Sequence, residues 1–188
     1  MPRKDKTDST VFRHLNSLEY TYEWDAYCDI QEVNDILAHA AQNGSGNPGY
    51  PDAIYANVER KLLILVEIKP LLSQHISENG KSNPEKYAVD GVLHYMSYFL
   101  KGNIERQNTI TYFSNWKIIG VAVSGDIHDE YNYRISNFII SGDLIVEQKG
   151  VNDILNETDY LMLFDNIDEE DEIILCLNYN GLYGLNNI

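Results

Sequence analysis

Two cysteines, Cys28 and Cys176, are all that the 188 residues hold, and neither has a His or another Cys nearby at metal-ligand spacing. That leaves no disulfide framework and no zinc motif, and predicts buried, reduced thiols in a cytoplasmic protein. Positive charge is also scarce. Lys and Arg number 14 against 29 Asp and Glu, for a formal net charge of −15. Phosphate contacts need Lys and Arg, so a chain of this charge is a poor general nucleic-acid binder by itself. No apolar run is long enough to span a bilayer, and the polar, basic start from Met1 to Asp8 has no apolar stretch behind it to make a secretory signal. The five histidines (His14, His39, His75, His94, His128) lack zinc spacing, and no Gly-x-Ser-x-Gly elbow occurs. The glycine-rich stretch from Gly44 to Gly49 has no Gly-Lys-Ser/Thr ending, which excludes a phosphate-binding loop.

What is present argues for a folded domain. Hydrophobic residues make up 44% of the chain, with 14 tyrosines and two tryptophans, enough for one domain with a real core. The negative charge is uneven: residues 157–172 hold eight acids and no Lys or Arg, about half of the imbalance. They read as a solvated acidic face. The remaining charge still disfavours an independent DNA binder, so a partner or a neighbouring domain is expected to supply the grip.

The apolar periodicity predicts a short helix over residues 10–18 and a second over 29–42, built on Ile30, Val33, Ile36-Leu37 and Ala40-Ala41. Glycines then stop the helix and make a loop. Residues 53–58 and 62–69 predict two strands joined at Glu59-Arg60-Lys61 as an antiparallel hairpin. Residues 73–83 are polar and expected as a mobile loop. Residues 84–101 give the clearest helix, with Pro84 in its first turn and a stripe of Val89, Val92-Leu93, Met96 and Phe99-Leu100. Residues 116–124 predict a buried strand. Residues 132–140 and 144–146 predict a pair around Ser141-Gly142-Asp143. In the last third, two short helices flank the acidic run and a strand covers 172–178. The expected architecture is an α/β sandwich, a mixed sheet with helices on both faces. Residues 1–28 form an N-terminal extension, 29–150 the core, and 151–188 an acidic segment packed on or extending it.

One constellation carries chemistry. Gly49-Tyr50-Pro51-Asp52 is a turn ending in an acid, and after the hairpin Leu62 to Val66 runs into Glu67-Ile68-Lys69. Side chains alternate along a strand, so Glu67 and Lys69 share a face, with Leu63 and Leu65 behind them. The run is apolar on both faces apart from Glu67, which predicts a central, covered strand. A carboxylate and an ammonium there are costly unless paired or metal-bound. The bland reading is a strand-end salt bridge beside an ordinary Pro-Asp turn. The functional one is a metal site: Asp52, Glu67 and the Ile68 carbonyl suit Mg²⁺, which takes few protein oxygens and keeps several waters. Lys69 would position the attacking water or stabilise charge on a phosphate. Glu32 or Asp35 on the preceding helix could add a third acid, with Glu32 preferred. On the long helix Asp90 and His94 stack at i, i+4 beside Tyr87. They form either a surface pair or a substrate-holding stripe facing the sheet edge.

Four blocks in order resemble one family: Gly49-Tyr50-Pro51-Asp52, Val66-Glu67-Ile68-Lys69, Lys86-Tyr87-Ala88-Val89-Asp90-Gly91-Val92-Leu93-His94-Tyr95 and Ile119-Gly120-Val121-Ala122-Val123-Ser124-Gly125-Asp126. They are similar to the N-terminal PD-(D/E)xK nuclease domain of single-chain restriction-modification proteins, where it precedes an N6-adenine DNA methylase. The resemblance covers about three fifths of the chain, from Val33 to Ile140. It implies a restriction-endonuclease-like fold and DNA cleavage dependent on Mg²⁺, with Mn²⁺ as a substitute, and it gives Asp52, Glu67 and Lys69 the catalytic roles. Glu32 matches no family acid. Nothing resembles a methylase: the glycine cofactor motif and Asn-Pro-Pro-Tyr/Phe are missing. The expectation is therefore an excised domain or shortened gene working with a methylase or specificity partner. The rival expectations are a catalytically idle nuclease-like interaction module and a nuclease of RNA or branched DNA.

Overall fold

The computed structural model describes residues 10–25, 27–40, 49–78, 81–100, 113, 115–126, 132–164, 176–177 and 183–184. Its centre is a mixed sheet of five strands in spatial order β1 (Ala53–Asn57), β2 (Leu62–Lys69), β3 (Lys117–Gly125), β4 (Tyr133–Ser141) and β5 (Leu144–Glu147). Within it β2 and β3 run parallel, and the other neighbours are antiparallel. A parallel pair needs a crossover, which carries helix α2 (Ala88–Tyr98). Helix α1 (Gln31–Leu37) precedes the sheet and α3 (Glu157–Leu163) follows it. A separate two-stranded pair joins β6 (Cys176–Leu177) to β7 (Tyr183–Gly184).

Strand β2 organises the core. All eight of its residues are buried, as its unbroken apolar run predicts. Alternation sends Leu63 and Leu65 towards α1 and α2, where they meet Val33, Ile36, Leu37, Val92 and Met96. Leu62, Ile64, Val66 and Ile68 face the other way, towards Val11 and Leu15 of the helical residues 10–15, Trp24, and Tyr160 of α3. Each such aliphatic side chain contributes about 1.5–3 kcal/mol by leaving water. Gly120 on β3 lets α2 lie close, because a Cβ there would meet Val92 Cγ2 at 2.9 Å and the Met96 sulfur closer still.

Several elements differ from expectation. The helix expected over 29–42 begins after Ile30, which offers no side-chain cap, and is α-helical only to Leu37. His39 and Ala40 then bond back three residues, to Ile36 and Leu37, and close it; residues 41–42 lie outside the described residues. The helix expected from Pro84 starts at Ala88, because the Asn83 carbonyl holds the Lys86 and Tyr87 N–H groups in a turn. The expected mobile loop at 73–83 is anchored at both of its ends, residues 79–80 lying outside the described residues: Leu72–Gln74 form a 3₁₀ turn, His75 is 2% exposed, and the Asn83 N–H bonds to Asp90. Cys28 is a buried free thiol, pushed above its usual pKa by that burial.

The C-terminal third corrects the charge reading. Glu157, counted as part of a solvated acidic face, is buried. Its Oε1 accepts from Asn57 Nδ2 at 2.6 Å and its Oε2 from Thr21 Oγ1 at 2.8 Å. Asp159 of the same run is exposed, and its remaining acids, within residues 165–172, lie outside the described residues, as does most of the strand expected over 172–178. No helix among the described residues is long and apolar enough to cross a membrane.

Candidate active site

Pro51 has no N–H to give a ladder, and β1 pairing begins only at Ala53, opposite Val66. One step beyond that register, Asp52 stands opposite Glu67. The N–H that β2 offers past the end of β1 belongs to Ile68, and Asp52 Oδ2 accepts it at 2.8 Å. A strand residue directs its N–H and C=O to the same neighbour, so the Ile68 carbonyl also turns towards the Asp52 edge. The turn is held from the helix side: the Tyr95 hydroxyl of α2 donates to the Tyr50 carbonyl at 2.8 Å.

Glu67 and Lys69 share the α2 face of β2. Lys69 Nζ lies 2.6 Å from Glu67 Oε1, and the two side chains are 9% and 4% exposed. The pair sits in a slot made by Gly91, where an added Cβ would meet Glu67 Cγ at 2.8 Å. Losing one partner from such a pair strands a buried charge, at a cost of about 3–5 kcal/mol.

The register extends this polar edge across the sheet. Lys69 is level with Ser124 and Ser124 with Arg134; one row behind, Glu67 is level with Ala122 and Ala122 with Ser136. All of these side chains point to the α2 face, as Ala122 and Phe138 do. His75 closes over them. Its Nδ1 and Nε2 lie 2.9 Å from Ser124 Oγ and Ser136 Oγ respectively. Its carbonyl accepts the Val89 N–H at 2.8 Å, which ties the segment to α2 as well. Burial, aided by the nearby Arg134 charge, pushes the imidazole down to about 4, so it is neutral at physiological pH.

The other expected site residues go elsewhere. Asp90 is buried at the start of α2 and accepts the Asn83 N–H at 2.6 Å. His94 lies 3.2 Å from the Ala40 carbonyl, and burial lowers its pKa. The pair expected to share one stripe is thus spent on two backbone anchors. Gly91 and Tyr95, one position further round the helix, face the Glu67 edge instead. Tyr87 caps α2 with its ring under Lys86 Nζ, 5.0 Å from the centroid. Glu32 is half-buried in the first turn of α1, and Asp35 accepts from Gln31 on the exposed side. Among the described residues no group of three or more His, Cys, Asp or Glu is placed to hold a metal ion, so neither acid joins Asp52 and Glu67 in one cluster.

Sequence reasoning missed His75, Ser124, Ser136, Arg134 and Tyr95. One signal was available: Gly91 in the middle of a convincing helix marks a close approach. Comparisons with protein-family models, curated proteins and solved structures found no match to this chain.

Proposed function

We propose that the chain is a Mg²⁺-dependent endodeoxyribonuclease domain of the restriction type, with a restriction-endonuclease-like core. One observation supports this most: Asp52, one residue before β1, accepts the Ile68 N–H of β2 next to Glu67, with Lys69 beside Glu67. Two carboxylates and the Ile68 carbonyl are hard oxygen donors, a set that suits an ion content with few protein ligands. Bound Mg²⁺ would supply charge neutralisation at a phosphodiester and an acidified water. Asp52, fixed by the Ile68 N–H, and Glu67 would hold the ion. A cation at Glu67 competes with the Lys69 ammonium for the same carboxylate, and Lys69, once released, stabilises charge on the phosphate. A methylase or specificity partner would supply recognition, which fits the net charge of −15.

The second reading is an idle nuclease-like module, favoured by the closed Glu67–Lys69 pair and by the lack of a third clustered acid among the described residues. Calorimetric titration with Mn²⁺ at constant ionic strength separates the two. The active site predicts a saturable event in the parent that Glu67→Gln removes. Equal heats in both proteins mean that the ion only screens acidic surface, and the idle module stands. A panel of duplex DNA, branched DNA and RNA then sets the substrate class.

A further inference from the structure

Beside the Glu67–Lys69 pair lies a group of side chains that the proposed hydrolysis does not use. Ser124 is fully buried, and its hydroxyl meets His75 Nδ1 as its one hydrogen-bond partner among the described residues. A buried hydroxyl gives up its proton to an available acceptor. Ser124 therefore donates to Nδ1, which places the ring proton on Nε2. Nε2–H in turn donates to Ser136 Oγ. Ser136 is thereby an acceptor from His75 and keeps its own O–H to donate outward. It is half-buried, at the edge of the polar surface. Two residues along β4 on the same face stands Arg134, exposed, close enough to His75 for its charge to be felt there, and level with Ser124 and Lys69.

We propose that Arg134 and Ser136, oriented through the His75 relay, form an oxyanion site that grips a phosphodiester of DNA next to the one held at Lys69. The ligand class rests on the nuclease reading. The site itself rests on the relay, which leaves one outward donor and one cation on a single face. Guanidinium plus hydroxyl matches the oxygens of a phosphate better than a lone ammonium does. It also answers the charge deficit locally, because a net acidic chain can still grip a backbone where its few cations are lined up. His75 is a positioning residue here: it touches no ligand and fixes which way the Ser136 proton points.

The test is binding of a fluorescent DNA duplex in EDTA, followed by anisotropy across a salt series, so that cleavage plays no part. Arg134→Gln is expected to weaken binding about tenfold and to lower the slope of log K against log salt by about 1. Arg134→Lys should restore most of the slope but not the full affinity. Ser136→Ala should cost about threefold with the slope unchanged, which a general loss of charge or fold would not produce. Parent-like affinity and slope in both Arg134→Gln and Ser136→Ala overturn the site, as does a parent that fails to bind DNA at low salt. The nuclease reading fails separately: Arg134→Gln lowering affinity in a protein that never cuts would leave an anion site without hydrolysis.

Discussion

At the residue scale, the buried Lys69–Glu67 pair makes the strongest stability prediction. Lys69→Ala takes the ammonium away from the Glu67 carboxylate, whose side chain is 4% exposed, and should destabilise the metal-free protein by about 3–5 kcal/mol in denaturant unfolding. Adding Glu67→Gln should recover much of that loss, because the stranded charge is gone; no recovery would show that Lys69 acts through its packing. Gly91→Ala pits two effects against each other. The helix gains about 1 kcal/mol of propensity, yet the new Cβ meets Glu67 Cγ at 2.8 Å. Mn²⁺ affinity should therefore fall while the melting temperature changes little, which calorimetry and thermal unfolding read separately. Asp52, Glu67 and Lys69 were legible in the sequence because a turn acid and an acid-x-Lys strand end are local patterns. His75, Ser124, Ser136 and Arg134 were not. They come from a loop, from β3 and from β4, and meet only through the β2–β3–β4 register. A histidine in a polar stretch carries no mark of that burial.

The segment between β2 and α2 shows the same point at the scale of elements. Its polar composition suggested mobility, but His75 bolts it to the sheet and Asp90 holds its far end. Because burial lowers the His75 pKa to about 4 from an ordinary 6.5, the unfolded chain binds this proton more readily. Stability from the neutral imidazole is complete above pH 6.5 and is lost as pH falls towards 4, by up to about 3 kcal/mol. Limited proteolysis within residues 70–87 should accelerate from pH 7.5 to 4.5, and His75→Gln should flatten that dependence; an unchanged profile would assign the acid sensitivity to other groups. The five strands of the central sheet were legible to within one residue because buried β-branched runs are continuous. Helix ends were not, since α1 and α2 are bounded by backbone turns rather than by capping side chains.

At the scale of the whole molecule, the far face of the sheet ties the segment before the sheet to the helix after it. Glu157 on α3 binds Asn57 at the β1 turn and Thr21 near the N-terminus. Residues read as an extension and as an acidic segment thus share one core with the sheet. Glu157→Ala leaves the buried Asn57 amide without its carboxylate, at about 1–3 kcal/mol for a buried group left unsatisfied, while the exposed Thr21 can turn to water. Glu157→Gln should cost less in the same unfolding experiment. Equal losses would mean that packing, not hydrogen bonding, holds α3. The overall α/β class followed from the order of the apolar segments. The burial of Glu157 did not, because counting charge along a chain cannot tell a solvated acid from one folded back onto a distant asparagine. The central claim, hydrolysis at Asp52, Glu67 and Lys69, is tested most directly by nicking of supercoiled plasmid DNA in Mg²⁺ or Mn²⁺, with the parent and Asp52→Asn assayed side by side. Asparagine keeps an oxygen for the Ile68 N–H, so the fold is retained while a charge on the metal is lost. Metal-dependent nicking by the parent and none by Asp52→Asn is the predicted result. Equal nicking by both, or none by a folded parent in either metal, would contradict it.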